Sequence, residues 1–166
     1  MPQRSVVAVG ASLLVASLAL AGCGSRSDDT EGTDTGSAEN KVAKIGVIAP
    51  LSGDLAALGK GIQNSVDLAI RQANEAKTIP GWTLELAAED DQATPDVGKN
   101  AATKLAADKD VVGVVGTLNS SVAQSVQPVL AAANIVHASP DKTNPFLTQG
   151  ADFATGPIRN YPTYFR

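Results

Sequence analysis

Short apolar runs alternate with stretches of helical period along the chain from position 44 onward. Lys44–Ala49 (KIGVIA) is apolar without interruption and breaks at Pro50, the pattern of a strand covered on both faces. PLSGDLAALG follows and reads as a glycine-bearing loop. Then Ile62, Val66, Ala69, Ile70 and Ala73 fall on one helical stripe, with Asp67, Arg71 and Glu75 opposite. Pro80-Gly81 marks a turn and Thr83–Ala88 (TLELAA) a second strand. Past the acidic loop EDDQATP, Thr94 is placed to cap a helix with Pro95 at its first position and Val97, Ala101 and Leu105 as its stripe. VVGVVG is a third strand, and Val122, Val126, Val129 and Leu130 form the stripe of a third helix. Pro128 lies inside that helix, where it removes one hydrogen bond and favours a kink, and Asn134 suits a left-handed stop. Ile135–His137 reads as a short fourth strand, and a long loop runs from there to Thr163–Arg166.

Strand and helix recur at spacings of about thirty residues, so the predicted fold class is α/β, a parallel sheet with helices on both faces. Such sheets bind ligands beyond the carboxyl ends of their strands. PLSGDLAALG, EDDQATP, TLNSS and SPDKTNP all fall on that edge. In Val111–Val126 (VVGVVGTLNSSVAQSV), Asn119, Ser120 and Ser121 stand where a buried strand hands over to a helix. A helix start carries unpartnered N–H groups and about half a positive charge. Those side chains therefore either cap the helix or join its amides in cradling an anion.

The front of the chain has a different pattern. Arg4 precedes Val6–Ala21, an almost purely apolar run that closes on Leu20-Ala21-Gly22-Cys23. A basic start, an apolar core of that length and small residues before the break predict a signal peptide over 1–22. Cys23 is the only cysteine, so no disulfide framework is available. LAGC resembles the bacterial lipobox, which implies acylation of Cys23 and a lipid anchor on the extracytoplasmic face of the cell membrane; the alternative is an ordinary signal peptide. Residues 23–40 read as a disordered acidic tether, since Ser25–Asn40 holds no large apolar side chain. Its five acids against Arg26 give −4, the formal charge of the whole chain. Residues 41–166 hold 12 acids against 11 bases, so the folded part is near neutral and gives no argument for nucleic acid.

Other chemistry finds little support. Asp90 and Asp91 follow a strand, but no histidine or third acid joins them at ligand spacing, so no metal is expected and they read as a solvated loop capping nearby backbone. His137, the only histidine, has no nucleophile motif around it and reads as a satisfied buried imidazole. Trp82 suits packing at a strand start. Gly113 and Gly116 do not make a dinucleotide fingerprint, and neither a Walker motif nor G-x-S-x-G occurs, so neither a cofactor nor an enzyme is expected.

KIGVIAPLSGDLAALGKGIQNSVDLAIRQAN, IPGWTLELAAEDDQATP, DKDVVGVVGTLNSS and SPDKTNPFLT, in that order, resemble the branched-chain amino-acid-binding proteins. These are solute receptors of ABC importers with the type I periplasmic-binding-protein fold, in which two α/β lobes close over an amino acid. The resemblance spans 41–166 and implies that this segment is part of the N-terminal lobe. It implies a small amino acid or amide-like solute and an ABC permease as partners. It also implies site residues: Ser120, beside Asn119, for the solute carboxylate, Asp141 and Thr143 for the ammonium and carboxylate, and Leu58, in the first loop, for the side chain.

Two departures modify that expectation. The family more often has small neutral residues where Asp141 and Lys142 stand, which leaves open amides, urea-like solutes, aromatic acids and polyamines. The sequence ends at YFR, where the family's chain crosses into its second lobe, so a truncated product unable to clamp a solute alone is expected. A ligand-sensing lobe of a receptor or signalling protein on the same fold is the alternative function.

Overall fold

A computed structural model describes residues 40–166. The expected signal peptide over 1–22, the lipidated Cys23 and all of the tether but Asn40 lie outside the described residues. The elements are β1 (Lys41–Ala49), α1 (Ala56–Glu75), β2 (Trp82–Asp90), α2 (Pro95–Ala107), β3 (Val111–Gly116), α3 (Ser120–Ala132), β4 (Val136–Ala138), α4 (Phe146–Gln149) and β5 (Tyr164–Phe165). The strands form one sheet in the order β2-β1-β3-β4-β5, and every pair is parallel.

Neighbouring residues of β1 show which helix covers which face, because successive side chains point to opposite sides. Ile45 shares an open apolar groove of about 430 Å³ with Val66, Ala69, Ile70 and Ala73 of α1. Next along the strand, a Cβ added to Gly46 would meet Leu105 of α2. Thus α1 lies on one face and α2 on the other. On the α2 face, Ile48, Leu105, Val114, Val122, Val126 and Leu130 pack into one buried cluster, which puts α3 there too. Each such side chain contributes about 1.5–3 kcal/mol on leaving water. Opposite, α1 packs on β1 and β2. Val136 and Phe165, in register with the Ile45 side of the sheet, stay about half exposed.

Several boundaries differ from expectation for physical reasons. Helix α1 starts at Ala56 inside the presumed loop PLSGDLAALG, so Leu58 is a helical residue, 58% exposed. Gly59 does not mark a loop; a Cβ there would come within 1.9 Å of the Pro50 carbonyl oxygen, so the glycine lets helix and strand end touch. Thr94 and Asn119 occupy N-cap positions, yet neither side chain caps its helix. Thr94 Oγ1 instead donates to the Gln92 carbonyl. Helix α3 runs on through Pro128, and Asn134 beyond its end has φ +56°. The long final loop holds α4 and β5 because Tyr164 is buried beside Leu147 and Ala123 in a second small core.

Candidate functional site

Register brings the strand ends to one edge. Ala49 pairs with Asp90, Ile48 with Gly116, and Val115 with Ala138, so the segments 50–55, 91–94, 117–119 and 139–145 leave the sheet side by side. Side chains then tie them together. Asp90 accepts from the Leu51 N–H at 2.8 Å, the Gln92 N–H at 2.9 Å and the Ser52 hydroxyl, joining the segments after β1 and β2. Burial alone would raise the Asp90 pKa, but the Ser52 hydroxyl and the Gln92 and Leu51 amides more than offset it and hold the carboxyl below its usual range.

Asp91 contradicts its reading as a solvated loop residue, since it is fully buried. Its N–H donates to the Ala49 carbonyl and its Oδ1 accepts the Ala93 N–H, while Oδ2 is buried without a partner among the described residues. Desolvation raises its pKa, and only in part do the Ala93 amide and the Lys142 charge oppose that.

The turn after β3 is held from below. Gly116 has φ +132°, and a Cβ would lie 1.9 Å from the Ile48 carbonyl oxygen, so only glycine ends this strand against β1. Thr117 is fully buried; its Oγ1 donates to the Asn119 carbonyl at 3.0 Å and accepts from Lys142 Nζ at 2.9 Å. The Ser139 hydroxyl reaches the Thr117 carbonyl at 3.4 Å. His137 Nε2 lies 2.6 Å from the Gly116 carbonyl, but Nδ1 is buried with no partner among the described residues, which satisfy the imidazole at one nitrogen only. Burial and, to a lesser degree, the Lys142 charge lower its pKa to about 4 despite that hydrogen bond.

Ser120 is the first residue of α3, half-buried. Asn119, just before it, finds no partner for its Oδ1 among the described residues and does not cap the first amides of α3. Asp141 and Thr143 are exposed, and Lys142 between them is buried. The Lys142–Thr117 and Ser139–Thr117 hydrogen bonds bring this segment to the turn carrying Ser120. Leu58 stands apart from this network, in the first turn of α1. Two cavities lie away from this edge: one is the α1 groove, and one of about 520 Å³ lies at the opposite end of β2, around Asn74, Trp82 and Thr83. Trp82 opens β2 there, 40% exposed beneath the Lys41 ammonium.

Sequence reasoning missed Asp90, Asp91, Thr117 and Lys142 as the members that join the segments. The readable signal was an acidic pair ending one strand and a lone lysine in the loop after another. Among the described residues no group of three histidine, cysteine or acidic side chains could hold a metal. Nor is any described helix long and apolar enough to cross a membrane.

Comparison with known proteins agrees with this architecture. The family model for Periplasmic binding protein matches residues 42–164. The Leu/Ile/Val-binding protein BraC3 of Rhizobium johnstonii is 37% identical over 105 residues, or 63% of this chain and 28% of that protein. A Brucella melitensis Leu/Ile/Val-binding protein homolog is 36% identical over 104 residues, again 28% of its length. The chain thus spans under a third of these relatives. Among solved structures, the branched-chain amino acid transporter substrate binding protein LivJ of Streptococcus pneumoniae, in complex with isoleucine, has a TM-score of 0.62 and 30% identity, covering 68% of this chain and 32% of that one. A solute binding protein of an ABC transporter from Rhodopseudomonas palustris, in complex with 3,4-dihydroxy benzoic acid, has a TM-score of 0.58 and 27% identity, covering 64% and 29%. The five-stranded parallel sheet is therefore part of a type I periplasmic-binding-protein lobe. On the family match over residues 42–164, this chain belongs to the periplasmic binding protein family.

Proposed function

We propose that the chain is the solute-binding part of an ABC importer, taking a small amino acid or amide-like solute at the carboxyl edge of its sheet and performing no reaction of its own. The observation that carries this reading is the turn after β3. Its helix presents amides that no side chain caps, next to Ser120, with the segment holding Asp141 and Thr143 hydrogen-bonded alongside. Amide and hydroxyl donors at a helix start suit a carboxylate, the dipole contributing about 0.3–2 kcal/mol. The Asp141 carboxylate or a nearby carbonyl is an acceptor for an ammonium.

The relatives' names support the solute class, and export with acylation at Cys23 fits delivery to a permease from the outer face of the membrane. The chain spans under a third of those relatives, and binding by the described residues alone is expected to be weak. Equilibrium titration with leucine, isoleucine and 3,4-dihydroxybenzoate, read by amide chemical shifts, tests the reading. Shifts clustered at 117–121 and 139–143 are expected. Shifts confined to the α1 groove or to the Trp82 end would refute it.

A further inference from the structure

Lys142 is a buried cation without a countercharge in contact. It is 9% exposed, and it takes part in no ion pair within 4.0 Å among the described residues. Charged and titratable groups surround it from several elements. Asp91, after β2, keeps Oδ2 buried and unpartnered; Asp141 is the exposed neighbour on its own segment. His137 lies on β4, and Arg166, after β5, donates from Nη1 to the Lys142 carbonyl at 3.1 Å. An ammonium taken out of water is costly unless a partner offsets the loss. Here the partner is neutral: Nζ donates to Thr117 Oγ1, which in turn donates to the Asn119 carbonyl. The charge therefore stands two hydrogen bonds from the residue that precedes the open amides of α3. Its field has the same sign as the helix start, so the two add.

We propose that Lys142 is a positioning residue that holds the β3–α3 turn and sets the charge preference of the solute site, so that a carboxylate lacking an ammonium is bound in preference to the zwitterion of the same skeleton. This rests on the solute site proposed above. A zwitterion brings its own ammonium toward a cation that Asp91 and Asp141 compensate only from a distance, whereas a simple acid brings negative charge alone. Desolvation lowers the Lys142 pKa to about 7, and Asp91 and Asp141 oppose this only in part. The preference is therefore present below neutrality and fades above it as the ammonium loses its proton.

The test is equilibrium titration of the full chain with 4-methylpentanoate and with leucine, which share a skeleton and differ in the ammonium, at about pH 6 and about pH 8.5. The wild-type chain is expected to prefer 4-methylpentanoate by about tenfold at the lower pH and to lose most of that preference at the higher one. Lys142→Met is expected to bind the two with similar affinity at both values. A loss of affinity in Lys142→Met that is equal for both probes and both pH values would mark a purely structural lysine and overturn the proposal. If that variant does not fold, the wild-type profile decides alone, and a pH-independent preference overturns it. Ser120→Ala separates the two levels of inference. If it weakens both probes while the Lys142 signature is missing, the site stands and the lysine proposal falls. If Ser120→Ala changes nothing, or neither probe binds, the site reading falls and takes the proposal with it.

Discussion

Lys142 Nζ and Thr117 Oγ1 lie 2.9 Å apart in a buried hydrogen bond that joins the segment after β4 to the turn after β3. Among the described residues no other hydrogen bond ties the Lys142 side chain to that turn. Thr117→Val keeps the shape of the side chain and removes the acceptor, leaving a buried ammonium unpartnered. A loss of about 1–3 kcal/mol is expected in urea unfolding, with unchanged m-value. A loss within experimental error would show that the ammonium finds another acceptor.

Asp90 organises the neighbouring segments through one carboxylate. Asp90→Ala removes the acceptor for Leu51 N–H, Gln92 N–H and the Ser52 hydroxyl together. About 1–2 kcal/mol of stability should go, and amide exchange at Leu51 and Gln92 should accelerate selectively. Uniform acceleration across the sheet would point to a global effect instead.

His137 makes stability fall in acid. Its folded pKa, about 4, lies below the ordinary 6.5, so between those values the unfolded chain binds more protons. Its contribution is intact above about pH 6.5 and is lost as pH falls toward 4, amounting to about 3 kcal/mol. As the only histidine, it yields a single imidazole resonance to follow. A titration midpoint near 6.5 in the folded protein would contradict the buried, uncharged ring.

Ser120→Ala should weaken solute binding by about 1–3 kcal/mol through one lost charge-assisted hydrogen bond, with little change in stability because Ser120 does not cap α3. Calorimetric titration decides, and unchanged affinity would remove Ser120 from the site.

Gly116→Ala should cost more than any of these. Its Cβ would overlap the Ile48 carbonyl at 1.9 Å on a backbone with positive φ. Separation of β3 from β1, or a loss above about 3 kcal/mol in urea unfolding, is expected. Near wild-type stability would mean that β3 can end elsewhere.

The KIGVIA and VVGVVG strands were legible because a strand covered on both faces is apolar without interruption, and the helical stripes because burial of one helix face imposes a period of 3.6; both signals are local. From them the sequence by itself determined a parallel α/β sheet and the edge at which its polar segments gather. Local pattern could not report that α1 begins before Leu58, because what matters there is the contact of Gly59 with Pro50, nine residues away. Still less could it show Asp91 and Lys142 as buried. In sequence both look like solvated charges, and they lie about fifty residues apart. Only the parallel register, which brings the ends of β2, β3 and β4 together, encloses these groups and puts Thr117 within reach of the lysine. Burial of a charge is a property of everything packed around it, so tertiary structure alone could decide it.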